Sequence, residues 1–114
     1  MSPKSTPPLY LGEFELLVLL AILRLEDDAY GVTIRDALEA ETSREVALGA
    51  IYKTLGRLED KGYVLSRLGE PTPQRGGRRK KLYWLETLGS RALKQSVANL
   101  RRLTRGLDRI LEAL

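Results

Sequence analysis

The clearest hydrophobic pattern in this chain lies in LGAIYKTLGRLEDKGYV, residues 48–64. Leu48, Ile51, Leu55 and Leu58 recur at three- and four-residue spacing, so they share one face of a helix predicted over residues 48–61. Gly62 comes next, at the position where a helix end commonly needs left-handed backbone. The opposite side of the same helix carries Tyr52, Lys53, Gly56 and Arg57, an unusual set for an idle surface. Two short runs come after it, residues 63–69 and 80–86, separated by a segment with Pro71, Pro73, Gly76 and Gly77 that cannot continue a ladder. They predict a β-hairpin whose tip is RGGRRKK, residues 75–81.

Upstream, residues 12–25 are apolar around most of a helical circumference. A helix of that kind must be covered on more than one side, and so small a core leaves part of it for a partner subunit. A second helix is predicted over residues 30–41, with Val32, Ile34 and Leu38 inward. Residues 42–47 then form a turn plus a short strand or cap, with Thr42 or Ser43 able to cap the third helix. At the other end, Thr87 is the expected N-cap of a final helix running close to Leu114. Leu93, Leu100, Leu107 and Leu114 fall every seven residues, with Val97, Leu103, Ile110 and Leu111 between them and Thr104 interrupting one row. One continuous helix there spans ~40 Å, longer than its own domain can cover. Its stripe predicts the same helix of a second chain as partner, against the alternative of folding back on its own domain.

The expected architecture is mostly α with a small β-hairpin: a winged helix-turn-helix plus a long C-terminal dimerisation helix. Residues 1–8, with three prolines and no apolar period, read as an arm. Residues 9–86 form the winged domain and residues 87–114 the dimerisation helix.

Charge sharpens this picture by its distribution. The net +4 divides into −4 over residues 1–74, +5 over residues 75–81 and +3 over residues 82–114. Positive charge therefore gathers in the hairpin tip and the last helix, which suits a polyanion met by one side of the molecule. With no Cys and no His, disulfides, thiolate zinc sites and His-based catalysis are excluded. Glu26, Asp27 and Asp28 are read as a solvated turn, because magnesium and calcium cages need more converging oxygens. No cofactor and no metal are expected. The apolar run of residues 14–25 is shorter than the ~20 residues that span a bilayer, and it lacks a signal peptide's basic start, so no membrane is expected and the compartment is read as cytoplasmic.

The candidate DNA surface has three parts. On the third helix it comprises Gly49, Tyr52, Lys53, Thr54 and Arg57; Arg and Lys match guanine N7 and O6 or phosphate. Ala47, Gly49 and Ala50 keep the helix start small enough for close approach to the groove. Tyr52 has a rival role as a half-buried packing residue, and Arg57 a rival partner in Asp60 or Glu59. In the turn, Thr42 and Ser43 are candidate phosphate donors. In the wing, Arg75, Arg78, Arg79 and Lys80 would supply affinity rather than base reading. The dimerisation set is Leu93, Val97, Leu100, Leu103, Leu107, Ile110, Leu111 and Leu114.

With these residues in view, the chain resembles the PadR family of bacterial transcriptional regulators. The matching pieces are YGVTI at residues 30–34, AIYKTLGRLEDKGYV at residues 50–64, and the basic wing followed by LYWLETLG at residues 82–89. They cover roughly residues 14–93, and the spacing I-Y-x-x-L-x-x-L-E-x-x-G is the most specific part. The resemblance implies a homodimeric DNA-binding repressor, with helix three in the major groove and dimerisation through the first and last helices, as in the short subfamily. One departure is Leu85-Glu86 where the family has Leu-Thr, with Thr87 one place later. Some relatives hold flat aromatic ligands against a Trp in the dimer-interface helix. The single Trp here, Trp84, falls on the wing strand, so no ligand site carries over and the identity of any small-molecule effector stays open. The leading expectation is a sequence-specific regulator binding an inverted-repeat operator on double-stranded DNA. The alternative is a winged-helix protein-interaction module without DNA binding, which would need an apolar exposed face on helix three. An enzyme is not expected.

Overall fold

A computed structural model describes residues 10–70 and 79–114. Among the described residues, five α-helices and one hairpin succeed one another in the order α1 (Glu13–Leu25), α2 (Gly31–Thr42), α3 (Leu48–Asp60), β1 (Val64–Leu68), β2 (Lys81–Leu85), α4 (Thr87–Thr104) and α5 (Asp108–Ala113). A single 3-10 turn over Glu26–Asp28 joins α1 to the residues before α2. The hairpin is antiparallel and in register from Val64 opposite Leu85 to Leu68 opposite Lys81.

The core forms where the apolar stripes meet. Val18, Leu19 and Ile22 of α1 close over Ile34 and Leu38 of α2 and over Ile51, Leu55 and Leu58 of α3. Tyr63, Val64 and Tyr83 at the base of the hairpin complete it, with Ala92 and Leu93 of α4. Val32 is only half-buried, so the inward face of α2 is carried by Ile34 and Leu38. Backbone bonds fasten the hairpin in place: Tyr83 N–H donates to the Ala29 carbonyl at 2.9 Å, and Glu86 N–H to that of Tyr63 at 2.9 Å. Trp84 lies on β2, and its Nε1–H donates to Asp27 Oδ1 at 3.3 Å.

Helix ends explain several departures from expectation. Residues 43–47 form neither strand nor side-chain cap. Ser43 takes left-handed backbone (φ 58°) to end α2, its N–H bonding back to Glu39, and Ala47 starts α3. Glu86 is the N-cap of α4 and Thr87 its first residue. Gly62 is left-handed as expected, at φ 77°.

The long C-terminal helix is present as α4, but it does not run on to Leu114. Arg105 turns extended and Gly106 adopts φ 78°, a conformation glycine takes at little cost, and the short α5 comes after it. At 18 residues α4 spans about 27 Å. Leu93 is buried in its own domain and Val97 packs against the same core, so the first two members of the dimerisation set serve the monomer. From Leu100 onward the apolar side chains are exposed: Leu103 is 74% accessible, and Leu107, Ile110, Leu111 and Leu114 are exposed beyond it. On α1, Leu23 is likewise exposed, while Leu16, Leu17 and Leu20 are only partly covered.

Candidate nucleic-acid interface

Helix α3 is amphipathic because its inward positions, Ile51, Leu55 and Leu58, are driven out of water. That burial fixes what remains outside: Gly49, Ala50, Tyr52, Lys53, Gly56 and Arg57 form one exposed face. The start of the helix is open. Ala47 offers no side-chain cap, no acidic residue lies in the first turn, and a Cβ added at Gly49 or Gly56 would meet nothing. Uncapped amides and the positive end of the helix dipole favour a phosphate at such a place.

Tyr52 combines packing with exposure. Its side chain is 51% exposed, yet the ring lies so close over Gly31 that a Cβ there would fall 2.5 Å from its hydroxyl oxygen. With glycine at position 31, the first residue of α2, the ring can rest directly against the helix backbone, and a side chain there would displace it. The hydroxyl is presented beside the start of α2, which Thr33 caps by accepting from Tyr30 N–H at 3.0 Å.

Thr54 requires correction. It is 2% exposed, on the inner side of α3 between Ile51 and Leu58, and it cannot reach a ligand. Its hydroxyl oxygen instead accepts from Arg57 Nη2 at 3.3 Å. Thr42 is also turned inward in its bonding, its hydroxyl donating to the Leu38 carbonyl at 2.6 Å, whereas Ser43 is exposed.

Arg57 does not pair with Asp60 or Glu59. Its Nε lies 3.6 Å from Glu15 Oε2, on α1. Lys61 Nζ donates to the same carboxylate at 3.0 and 2.9 Å, and Gly12 N–H at 3.0 Å. Burial raises the Glu15 pKa, but the Lys61 and Gly12 hydrogen bonds and the Lys61 and Arg57 charges outweigh it, so the net shift is downward. The chain thus contains a buried ionised carboxylate beneath the exposed face of α3. Residues 12–15 do carry a local signal, a carboxylate three residues after the N-cap that can return to the cap amide. Its partner Lys61 lies 46 positions away, beyond any local pattern.

In the wing, Arg75 and Arg78 lie outside the described residues. Arg79 and Lys80 are exposed, and the Lys80 ammonium sits 4.5 Å from the centre of the Tyr30 ring, linking the hairpin to the start of α2. Lys81 Nζ is 3.8 Å from Glu59 Oε1. These two contacts tie the hairpin to Tyr30, beside the α2 start, and to Glu59 in the last turn of α3. Among the described residues no acidic cluster is arranged to hold a metal, and no helix is long and apolar enough to cross a membrane.

The sequence matches the model of the transcriptional regulator PadR-like family over residues 19–95, most of the chain. The chain belongs to the PadR-like family of transcriptional regulators. A PadR family transcription regulator from hypervirulent Clostridium difficile R20291 superposes with a TM-score of 0.69 at 25% identity, covering 88% of this chain and 99% of that one. A PadR family transcriptional regulator from Eggerthella lenta DSM 2243 gives 0.62 at 25% identity, over 89% of this chain and 85% of that one. The protein smu.1704 from Streptococcus mutans UA159 shares the fold, with a TM-score of 0.67 at 24% identity over 90% and 92% of the two chains. No curated protein matches the sequence. The PadR-like winged fold and the C-terminal helix expected from the sequence are thus both present.

Proposed function

We propose that this PadR-like protein is a sequence-specific DNA-binding repressor that acts as a homodimer on an inverted-repeat operator. The observation that carries the reading is the exposed face of α3. Its start is small and uncapped, its middle presents Tyr52 and Lys53, and its later turn presents Arg57. Placed in a major groove, Gly49 lets the backbone approach, Lys53 and Arg57 reach base edges or phosphate, and the Tyr52 hydroxyl lies toward the backbone. Ser43 and the wing cations Arg75, Arg78, Arg79 and Lys80 add phosphate contacts, which give affinity and register.

Two copies are needed for the symmetric operator. The exposed Leu100, Leu103, Leu107, Ile110, Leu111 and Leu114, with Leu23 on α1, are apolar side chains left in water that a second copy of the chain would cover. A protein-interaction module is disfavoured because Tyr52 is the one large apolar side chain exposed on α3, amid glycines and cations. The protein acts in the cytoplasm, where its operator lies, and no catalytic step is assigned to it.

Selection of bound fragments from random DNA, followed by footprinting, tests the reading. The expected site is two inverted half-sites about one helical turn, ~10 bp, or a small multiple apart. Recovery of a single unpaired half-site would overturn the symmetric mode, and recovery of no enriched site would overturn sequence-specific binding.

A further inference from the structure

Glu15 is the only acidic side chain among the buried residues of the described chain, at 6% exposure, and it belongs to neither the DNA face nor the apolar core. Its surroundings are specific. One oxygen closes the start of α1 by accepting from Gly12 N–H, both accept from Lys61, and one faces Arg57 Nε. A buried charge costs free energy unless it is paired and hydrogen-bonded, and here the pairing is supplied wholly by the end of α3. Simple packing between α1 and α3 would be served as well by an apolar side chain.

The consequence is clearest for Arg57. Its guanidinium has two neighbours, Glu15 Oε2 at 3.6 Å from Nε and the Thr54 hydroxyl, which accepts from Nη2 at 3.3 Å, while 55% of the side chain remains exposed. Both contacts draw the guanidinium toward one side, and Glu15 answers part of its charge from below. Lys61, one turn on, is answered in the same way. Without Glu15 the last turn of α3 would present two loose cations, which any phosphate backbone attracts equally.

Resting on the DNA-binding reading above, we infer that Glu15 is a specificity-determining positioning residue: it aims Arg57 at base edges and withholds Arg57 and Lys61 from indiscriminate phosphate binding. Thr54 is the second half of the same holder. Its burial, which removes it from the contact surface, is what lets it orient the residue that makes the contact.

The test compares wild type, Glu15→Gln and Arg57→Ala on the selected operator and on scrambled DNA across a range of salt concentrations. Glu15→Gln keeps an acceptor for Gly12 N–H but removes the charge. It is expected to bind scrambled DNA more tightly, with log affinity falling more steeply against log salt by about 0.9 per added phosphate contact, hence about 1.8 for one in each subunit. Its operator-to-scrambled ratio is expected to fall, and Arg57→Ala placed on top should remove part of the gain. A merely structural Glu15 would weaken both DNAs together and leave the slope unchanged, which overturns the inference. Should Glu15→Gln fail to fold, Arg57→Ala alone decides: it should weaken operator binding while sparing scrambled DNA and its salt slope. An equal loss on both DNAs would show that Arg57 is an ordinary phosphate contact and overturn the inference. Wild type that binds neither DNA in a salt-dependent way overturns the DNA-binding reading itself, an outcome distinct from a wild type that binds while Glu15→Gln keeps its slope.

Discussion

Helices α3 and α4 are both strongly amphipathic, yet they resolve their apolar stripes in opposite ways. In α3, Ile51, Leu55 and Leu58 are fully enclosed by α1, α2 and the hairpin, so its polar side is left as a defined working face. In α4 only the first half does this, through Ala92, Leu93 and Val97, and the stripe then leaves its own domain at Leu100. Their ends differ as well. The last turn of α3 is anchored to α1 through Glu15, Lys61 and Arg57, whereas α4 ends freely at Thr104 and the chain bends at Gly106. Periodicity thus reveals which face of a helix is apolar, while coverage by the rest of the chain decides whether that face is core or interface.

The strongest way to break this contrast is to charge the uncovered half. Leu100→Glu with Leu107→Glu removes two leucines from each subunit of the proposed dimer. At ~1.5 kcal/mol each, association weakens by ~6 kcal/mol, or about four orders of magnitude. Light scattering should then give a folded monomer with an unchanged helical signal. A variant that remains dimeric would show that residues 100–107 are not the interface.

The covered and uncovered halves of α4 should also separate in stability. Leu93→Ala leaves a cavity in an enclosed core and is expected to cost ~2–5 kcal/mol in denaturant unfolding. Leu103→Ala, made in the monomeric background, is expected to stay within ~0.5 kcal/mol. Similar losses at the two positions would mean that α4 folds back on its own domain beyond Leu100.

Much of this arrangement is legible in the sequence, and the failures have identifiable causes. The first three helices and the hairpin fall within about two residues of their expected bounds because each is bracketed by a stripe and a breaker. Thr54 reads as a surface donor because its polarity outweighs its position, although it lies three residues after Ile51 and four before Leu58, squarely on the inward stripe. The break at Gly106 carries the same glycine signal as Gly62, but a persistent seven-residue leucine repeat masks it. The Glu15 network is illegible for a different reason. Ion pairs between α1 and α3 depend on tertiary approach, and no periodicity links residues 15, 57 and 61.

A smaller effect separates the DNA side from the dimer side. Arg79→Gln should lower affinity for operator and scrambled DNA alike and flatten the salt slope by about 0.9 per subunit. The dimer should be untouched, since Arg79 belongs to the hairpin. A wild-type salt slope in this variant would reduce the residue to a solubilising charge.

The smallest expected effect concerns the anchored end of α3 and depends on pH. Glu15 has its pKa lowered below the ordinary value of 4.5 in the folded protein, so the ionised form is favoured by folding. Its stabilising contribution is complete above that ordinary value and is lost as pH falls below it toward the folded value. Acidification should therefore loosen the last turn of α3, where Lys61 and Arg57 lose their partner, before it affects α4, since the residues from Thr87 to Leu107 include no carboxylate. Hydrogen exchange measured on either side of pH 4.5, the ordinary value for this group, should show protection falling at residues 57–61 in wild type. In Glu15→Gln the acid-dependent part should be absent, because the side chain has no proton to gain. Equal acid sensitivity in both proteins would assign the effect to other carboxylates and detach α3 from the Glu15 anchor.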